Sequence, residues 1–175
     1  MKTLLSEKEF PATIKKMADA IWKSHQPFQE IVLIGIQTRG VILAQRLREE
    51  ILRSKKAAKE IPFGILDINL YRDDLSTIAE VPVVRKTEIL FEMQGKGVIL
   101  VDDVLYTGRT IRAALDALID FGRPKFIELA VLVDRGGREL PIQANYVGKV
   151  YQARSGENVK VMFQETDGAQ KVMVV

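Results

Sequence analysis

Val98-Ile99-Leu100-Val101-Asp102-Asp103-Val104-Leu105-Tyr106-Thr107-Gly108-Arg109-Thr110 compresses a strand, a loop and a helix start into thirteen residues. The four leading apolar residues do not alternate with polar ones, so they read as a strand buried on both faces. Two carboxylates follow at its carboxyl end. A helical pattern then runs from about Thr110 to Phe121, with Gly122 placed to stop it. The same order occurs upstream. Ile31-Val32-Leu33-Ile34-Gly35-Ile36 is a continuous apolar run, Gln37-Thr38-Arg39-Gly40 a tight loop, and Val41, Ile42, Ala44, Leu47, Ile51 and Leu52 recur at helical spacing.

Outward from these two units, Phe63 to Leu70 and Ile127 to Val133 read as further strands. Ile14, Met17, Ala18, Ile21 and Trp22 mark an amphipathic helix, which Ser6 and Glu9 would open as a capping box. Buried strands alternating with amphipathic helices predict an α/β fold, a mostly parallel sheet with helices on both faces. Its ligands belong in the loops after the carboxyl ends of the strands. Residues 71–88 break the alternation as a long polar stretch and read as a flexible lid loop. After Asp134 come short strand-like pieces with a hairpin turn at Asp167-Gly168, so 134–175 reads as a small hood within one domain spanning 1–175.

Composition narrows the function. The chain of 175 residues is 47% hydrophobic and 28% charged, which suits a packed fold and excludes a disordered tail. Lys and Arg exceed Asp and Glu by 26 − 23 = 3, too small an excess to argue for nucleic acid unless the cations cluster. With no cysteine, disulfide frameworks, thiolate metal sites and cysteine nucleophiles are all excluded. Met1 to Glu9 lack a signal-peptide pattern and no apolar run approaches the roughly 20 residues of a membrane span, so a cytoplasmic location is expected. His25, the one histidine, stands at the polar end of the first helix and reads as a surface residue.

The helix start after Gly108 offers backbone N–H groups, a positive dipole end and two hydroxyls, the makings of a phosphate cradle. Asp102 and Asp103 would repel a bare phosphate; they make sense facing sugar hydroxyls or a bound Mg²⁺ on the same ligand. A sugar phosphate is implied. Neither G-x-x-x-x-G-K-[ST] nor a strand-linked G-x-G-x-x-G is present to suggest a different phosphate site.

Those thirteen residues resemble the phosphoribosyl-pyrophosphate (PRPP) motif of type I phosphoribosyltransferases. Further agreement comes from Ile34 to Gly40, Asp67-Ile68-Asn69-Leu70-Tyr71-Arg72-Asp73-Asp74-Leu75, Leu132 to Gly136 and Arg138 to Ile142. Together they are similar to the family of pyrimidine-operon regulators that are also uracil phosphoribosyltransferases. The resemblance implies the type I phosphoribosyltransferase fold and the reaction of uracil with PRPP to UMP and pyrophosphate, with Mg²⁺ bound alongside PRPP. It implies that Asp102 and Asp103 hold the ribose hydroxyls and that Val104, Leu105 and Tyr106 continue the substrate loop. Thr107, Gly108, Arg109 and Thr110 would wrap the 5′-phosphate. Thr38, Arg39 and Gly40 would bind the departing pyrophosphate, with Arg39 and Asp103 catalytic, and Arg85 in the lid would reach the phosphates. Arg135 would approach the nucleotide and Val159 would lie beside the base.

The resemblance also implies binding of a pyrimidine-operon mRNA leader on a basic face, favoured by UMP, and a homodimer or higher homo-oligomer. Lys15, Lys16, Arg138 and Lys149 are the candidate RNA contacts. Gly137-Arg138, Gln143 and Asp19 depart from the family's basic or histidine residues on that face, which sets catalysis ahead of regulation. Two alternatives stand beside this reading: an attenuation regulator whose nucleotide pocket is mainly a sensor, and a transferase for another nucleobase.

Overall fold

The computed structural model describes residues 1–25, 31–55, 60–72 and 86–175. Five parallel strands make its central sheet in the order β3-β2-β4-β5-β6. They are β2 (Ile31–Ile36), β3 (Phe63–Leu66), β4 (Gly97–Leu105), β5 (Phe126–Asp134) and β6 (Tyr146–Val150). From β2 the chain moves outward to β3 and returns on the other side to β4. The strand order therefore reverses between β2 and β4, and the loops after these two strands flank the crevice where such sheets bind ligands.

The apolar runs divide between two cores because successive side chains point to opposite faces. Leu33, Ile99, Val101 and Leu132 pack with Met17 and Ile21 of α1 (Glu9–Ser24) and with Leu43 and Leu47 of α2 (Arg39–Lys55). Val32, Ile34, Val98, Leu100 and Val131 pack with Ile111, Ala114 and Leu118 of α3 (Arg109–Ile119). Helices thus cover both faces, as the sequence pattern requires. Ser6 and Glu9 do form the capping box: the Ser6 N–H donates to Glu9 Oε2 at 2.8 Å and the Glu9 N–H to Ser6 Oγ at 3.4 Å. Pro11 falls in the first helical turn, where its missing N–H costs little.

Three differences from the sequence reading have local causes. β4 extends past Val101 to Leu105, because β5 keeps pairing with it up to Leu105 opposite Asp134. β3 ends at Leu66 rather than Leu70, since Asp67 Oδ1 accepts the Asn69 N–H at 3.0 Å and turns the chain into a 3-10 turn at Asn69–Tyr71. The hood is not purely C-terminal. β6 joins the parallel sheet, and the small antiparallel sheet has the order β1-β8-β7, completed by the N-terminal strand β1 (Lys2–Leu5). Its other strands are β7 (Val159–Met162) and β8 (Lys171–Val174), joined through the helical turn α4 (Gln164–Asp167) and Gly168 at φ +64°. A Phe10–Phe163 edge-to-face contact, centroids 5.4 Å apart, fastens α1 to this sheet.

His25 is half-buried rather than at the surface. Its Nε2 lies 2.7 Å from Glu128 Oε2 and 3.0 Å from the Tyr146 hydroxyl, and its ring stacks on Phe126. Burial pushes the Tyr146 phenol up to about 12. This cluster lies at the amino end of β5, the opposite end from the loops that follow β2 and β4. Among the described residues no helix is long and apolar enough to cross a membrane.

Candidate active site

Parallel pairing of β2 with β4, Gly35 opposite Val101, brings the two following loops side by side. Their separation is set by glycines. A methyl carbon on Gly40 would lie 2.5 Å from the Val101 carbonyl oxygen and 3.3 Å from Asp102 Oδ1. One on Gly35 would lie 2.5 Å from Val41 Cα, so the strand and its own helix also meet backbone to backbone. The Gln37–Thr38 peptide between them is cis.

Asp102 is buried and Asp103 half-buried, and each carboxylate folds back on the chain. Asp103 N–H donates to Asp102 Oδ1 at 2.9 Å, and Val104 N–H to Asp103 Oδ1 at 3.0 Å. Burial pushes the Asp102 carboxyl well above its ordinary value, with repulsion from Asp103 adding to it. Asp103 is raised by burial too, while its bond with Asp102 and the positive charge of Arg39 pull it part of the way back. Two adjacent carboxylates of raised basicity, one buried and one half-buried, are strong acceptors for hydroxyl donors or a cation.

Beyond them the loop is braced from outside. The Thr107 carbonyl accepts the Glu139 and Leu140 N–H groups at 2.9 and 3.1 Å, and Thr107 Oγ1 accepts the Arg109 N–H at 3.3 Å. Gly108 has φ +92°, a left-handed conformation that favours glycine, and Leu140 and Ile142 pack closely beside it. α3 then begins with no acidic residue in its first turn and, among the described residues, no side-chain cap. Thr110 stands in that turn, and Arg109 is exposed and paired with Glu139. The arrangement leaves a dipole end and hydroxyls of the kind that bind an anion.

The remaining predicted residues fall into distinct settings. Leu105 is buried; its carbonyl accepts the Arg135 N–H at 3.0 Å. Val104 is half-buried, and Tyr106 is exposed beneath the Arg135 guanidinium. Arg135 is buried and donates to Glu157 O at 2.6 Å and Asn158 Oδ1 at 3.2 Å, the two residues before Val159. Thr38 is exposed at the second loop, and Arg39 donates through Nη2 to Asp167 Oδ1 at 2.8 Å. Arg85 lies outside the described residues, as does most of the expected lid.

Lys15 and Lys16 are exposed on α1, and Lys149 is exposed on β6. α1 crosses β6: Thr13 and Met17 pack on Gly148, and Lys149 acts electrostatically on Glu9. Arg138 stands apart from them. It donates through Nε to Ile142 O and through Nη1 to Tyr106 O, both at 2.8 Å, and through Nη2 to Asp134. Its guanidinium is a bracket under the Tyr106 loop. Sequence reasoning missed Asp167 and Glu157, whose partners lie on other elements; only Asp167 carried any signal, as a turn residue.

The chain matches the phosphoribosyl transferase domain model over residues 3–162. A bifunctional protein PyrR from Deinococcus radiodurans is 52% identical over 166 residues, covering 95% of this chain and 90% of that one. Another, from Pelotomaculum thermopropionicum, is 53% identical over 163 residues, covering 93% and 89%. Among solved structures, a hypoxanthine phosphoribosyltransferase from Trypanosoma cruzi superposes with TM-score 0.76 at 19% identity, covering 100% of this chain and 95% of that one. One from Staphylococcus aureus gives 0.70 at 21% identity, covering 98% and 90%, so both share the fold. A domain match along most of the chain, joined to relatives at about half identity over nearly their whole length, means that the chain belongs to the phosphoribosyl transferase family and within it to the bifunctional PyrR proteins.

Proposed function

We propose that the chain transfers the phosphoribosyl group of PRPP to uracil, giving UMP and pyrophosphate, and that it also regulates pyrimidine-operon mRNA. The observation that carries the reading is the abutment of the two loops at Gly40 and Asp102, which would join a sugar-binding pair of carboxylates to two separate anion sites. PRPP has the matching parts in the matching order: a 5′-phosphate, ribose hydroxyls and a diphosphate.

In this reading Asp102 and Asp103 accept hydrogen bonds from the ribose hydroxyls, and their raised basicity strengthens those bonds. Thr107, Gly108, Arg109 and Thr110 take the 5′-phosphate at the start of α3. Thr38, Arg39 and Gly40 take the diphosphate, where charge accumulates as the bond to the anomeric carbon breaks. A glycosyl transfer through an oxocarbenium-like state runs by positioning and charge stabilisation, and requires no side-chain nucleophile. Val159 borders the base, while Arg135 secures the neighbouring hood loop.

Mg²⁺ fits the donor set, because the carboxylate oxygens of Asp102 and Asp103 are hard donors and lie beside the loop proposed for the diphosphate. Among the described residues no group of three or more His, Cys, Asp or Glu could hold a metal, so oxygens of PRPP would complete the shell. Held there, the ion would supply positive charge to the leaving diphosphate.

For the regulatory half, Lys16 and Lys149 are exposed on two crossing elements, and exposed cations suit an RNA backbone. Incubation of the protein with PRPP, Mg²⁺ and a panel of nucleobases tests the catalytic reading: UMP should form from uracil, and turnover with no base would overturn it. Titration with pyrimidine-leader RNA, with and without UMP, tests the regulatory one; binding that UMP does not strengthen would overturn that part.

A further inference from the structure

We propose that Asp167, on the turn between β7 and β8, is a positioning residue that holds the Arg39 guanidinium ready for the pyrophosphate group. The inference rests on the phosphoribosyl-transfer reading above and extends it to a residue of the hood. Arg39 Nη2 donates to Asp167 Oδ1 at 2.8 Å across 128 residues of sequence, with the two side chains 36% and 13% exposed. A free arginine loses rotamer freedom when it closes on an anion; one already tethered has met that cost during folding.

Two further observations favour a tether that leaves the residue able to bind. Among the described residues Arg39 Nε is buried without a hydrogen-bond partner, while the side chain as a whole keeps 36% exposure, through which an anion can approach the guanidinium. Asp103 is the competing anion within electrostatic reach of Arg39, and the pull of Asp167 keeps the guanidinium from collapsing onto the ribose-binding carboxylates. Glu165, on the same turn, does not compete, because Arg46 takes both its oxygens at 2.9 and 2.7 Å. Arg39 and Arg46 are seven residues apart, on one face of α2, so the turn grips that helix at two places.

The two oxygens of Asp167 serve different partners. Oδ1 faces Arg39, whereas Oδ2 accepts the Phe163 N–H at 3.0 Å and the Thr166 hydroxyl at 2.7 Å. The Phe163 and Thr166 bonds and then the Arg39 charge hold its carboxyl down at about 2, so it is ionised at any pH of interest. Asp167→Asn can keep the amide oxygen on Phe163 and Thr166 while presenting an uncharged NH₂ to Arg39, which separates positioning from folding.

The test is calorimetric titration with pyrophosphate and Mg²⁺, alongside uracil and PRPP kinetics. Asp167→Asn should weaken pyrophosphate binding and raise KM for PRPP by about 5- to 10-fold, the scale of one charge-assisted contact, with KM for uracil unchanged. Asp167→Glu should recover part of the loss. In an Arg39→Ala background the Asp167→Asn change should add nothing, because it acts through Arg39. Glu165→Gln should leave pyrophosphate affinity unaltered. Unchanged pyrophosphate affinity in Asp167→Asn, full additivity in the double variant, or no pyrophosphate binding by the wild type would each overturn the proposal. Wild-type protein that binds pyrophosphate but makes no nucleotide would overturn the transferase reading alone, and the titrations would still decide the role of Asp167.

Discussion

The guanidinium carbon of Arg135 lies 3.9 Å from the centroid of the Tyr106 ring, a stacked cation–π contact between the hood side of the site and the tip of the loop after β4. With donations to Glu157 O and Asn158 Oδ1, it ties three chain segments together. Arg135→Leu should cost about 2 kcal/mol, from the lost contact and the two unmade hydrogen bonds. In a chain of this size that is a fall in Tm of about 4–8 °C, readable by thermal melting. Arg135→Lys should recover little of it, since a point charge neither stacks nor spans both acceptors.

Asp102 should be worth more to the reaction than to the fold. Its carboxyl is raised above the unfolded value, so its contribution to stability is present below about pH 4 and falls away as pH rises through the folded value. Asp102→Asn removes that charge, yet can keep the acceptor for the Asp103 N–H. The variant should melt higher than wild type at neutral pH, by about 0.5–2 kcal/mol, with the gap closing as pH drops toward 4, while transferase activity is lost. Equal Tm values at pH 7 would show that the buried charge is fully compensated.

In the proposed site Asp103→Asn and Arg39→Ala would each remove one charged contact to the reacting sugar or its leaving group. Losses of about 10-fold or more in kcat/KM with PRPP are expected, the lower end of what such contacts supply. Steady-state kinetics with uracil saturating decides it; wild-type rates would remove the residue from the site.

Gly40→Ala should damage stability and catalysis together. The added carbon would stand 2.5 Å from the Val101 carbonyl and 3.1 Å from Asp102 Cα, and both obstacles are backbone of a buried strand. About 1–3 kcal/mol of destabilisation is expected, the usual cost of overpacking, with the two loops pushed apart. Melting and PRPP kinetics on one preparation should show both losses.

For RNA, Lys16→Ala and Lys149→Ala should each lower the slope of log K against log salt by about one, the signature of a lost phosphate contact. Arg138→Ala should instead lower Tm, because its donors are engaged inside the chain. A changed salt slope with unchanged stability would reassign Arg138 to the RNA face.

The elements that carry the site were legible because their signals are local. A run such as Ile31 to Ile36 must be covered on both faces, and an acidic pair leading into Thr107-Gly108-Arg109-Thr110 must sit between a strand end and a helix start. Boundaries were less legible: β4 outlasts its apolar run because β5 pairs with it as far as Leu105, and β1 joins the hood only because β8 is there to receive it.

By itself, then, the sequence determined the parallel α/β order, the two loops and the sugar-phosphate chemistry, since hydrophobic period, turn residues and charge spacing act over a few neighbours. Only the tertiary structure decided which partners those side chains have. His25 meets Glu128, Arg138 serves Tyr106 rather than solvent, and Arg39 reaches Asp167 across 128 residues. Packing makes those pairings: they depend on how sheet and hood meet in space, which no local pattern encodes.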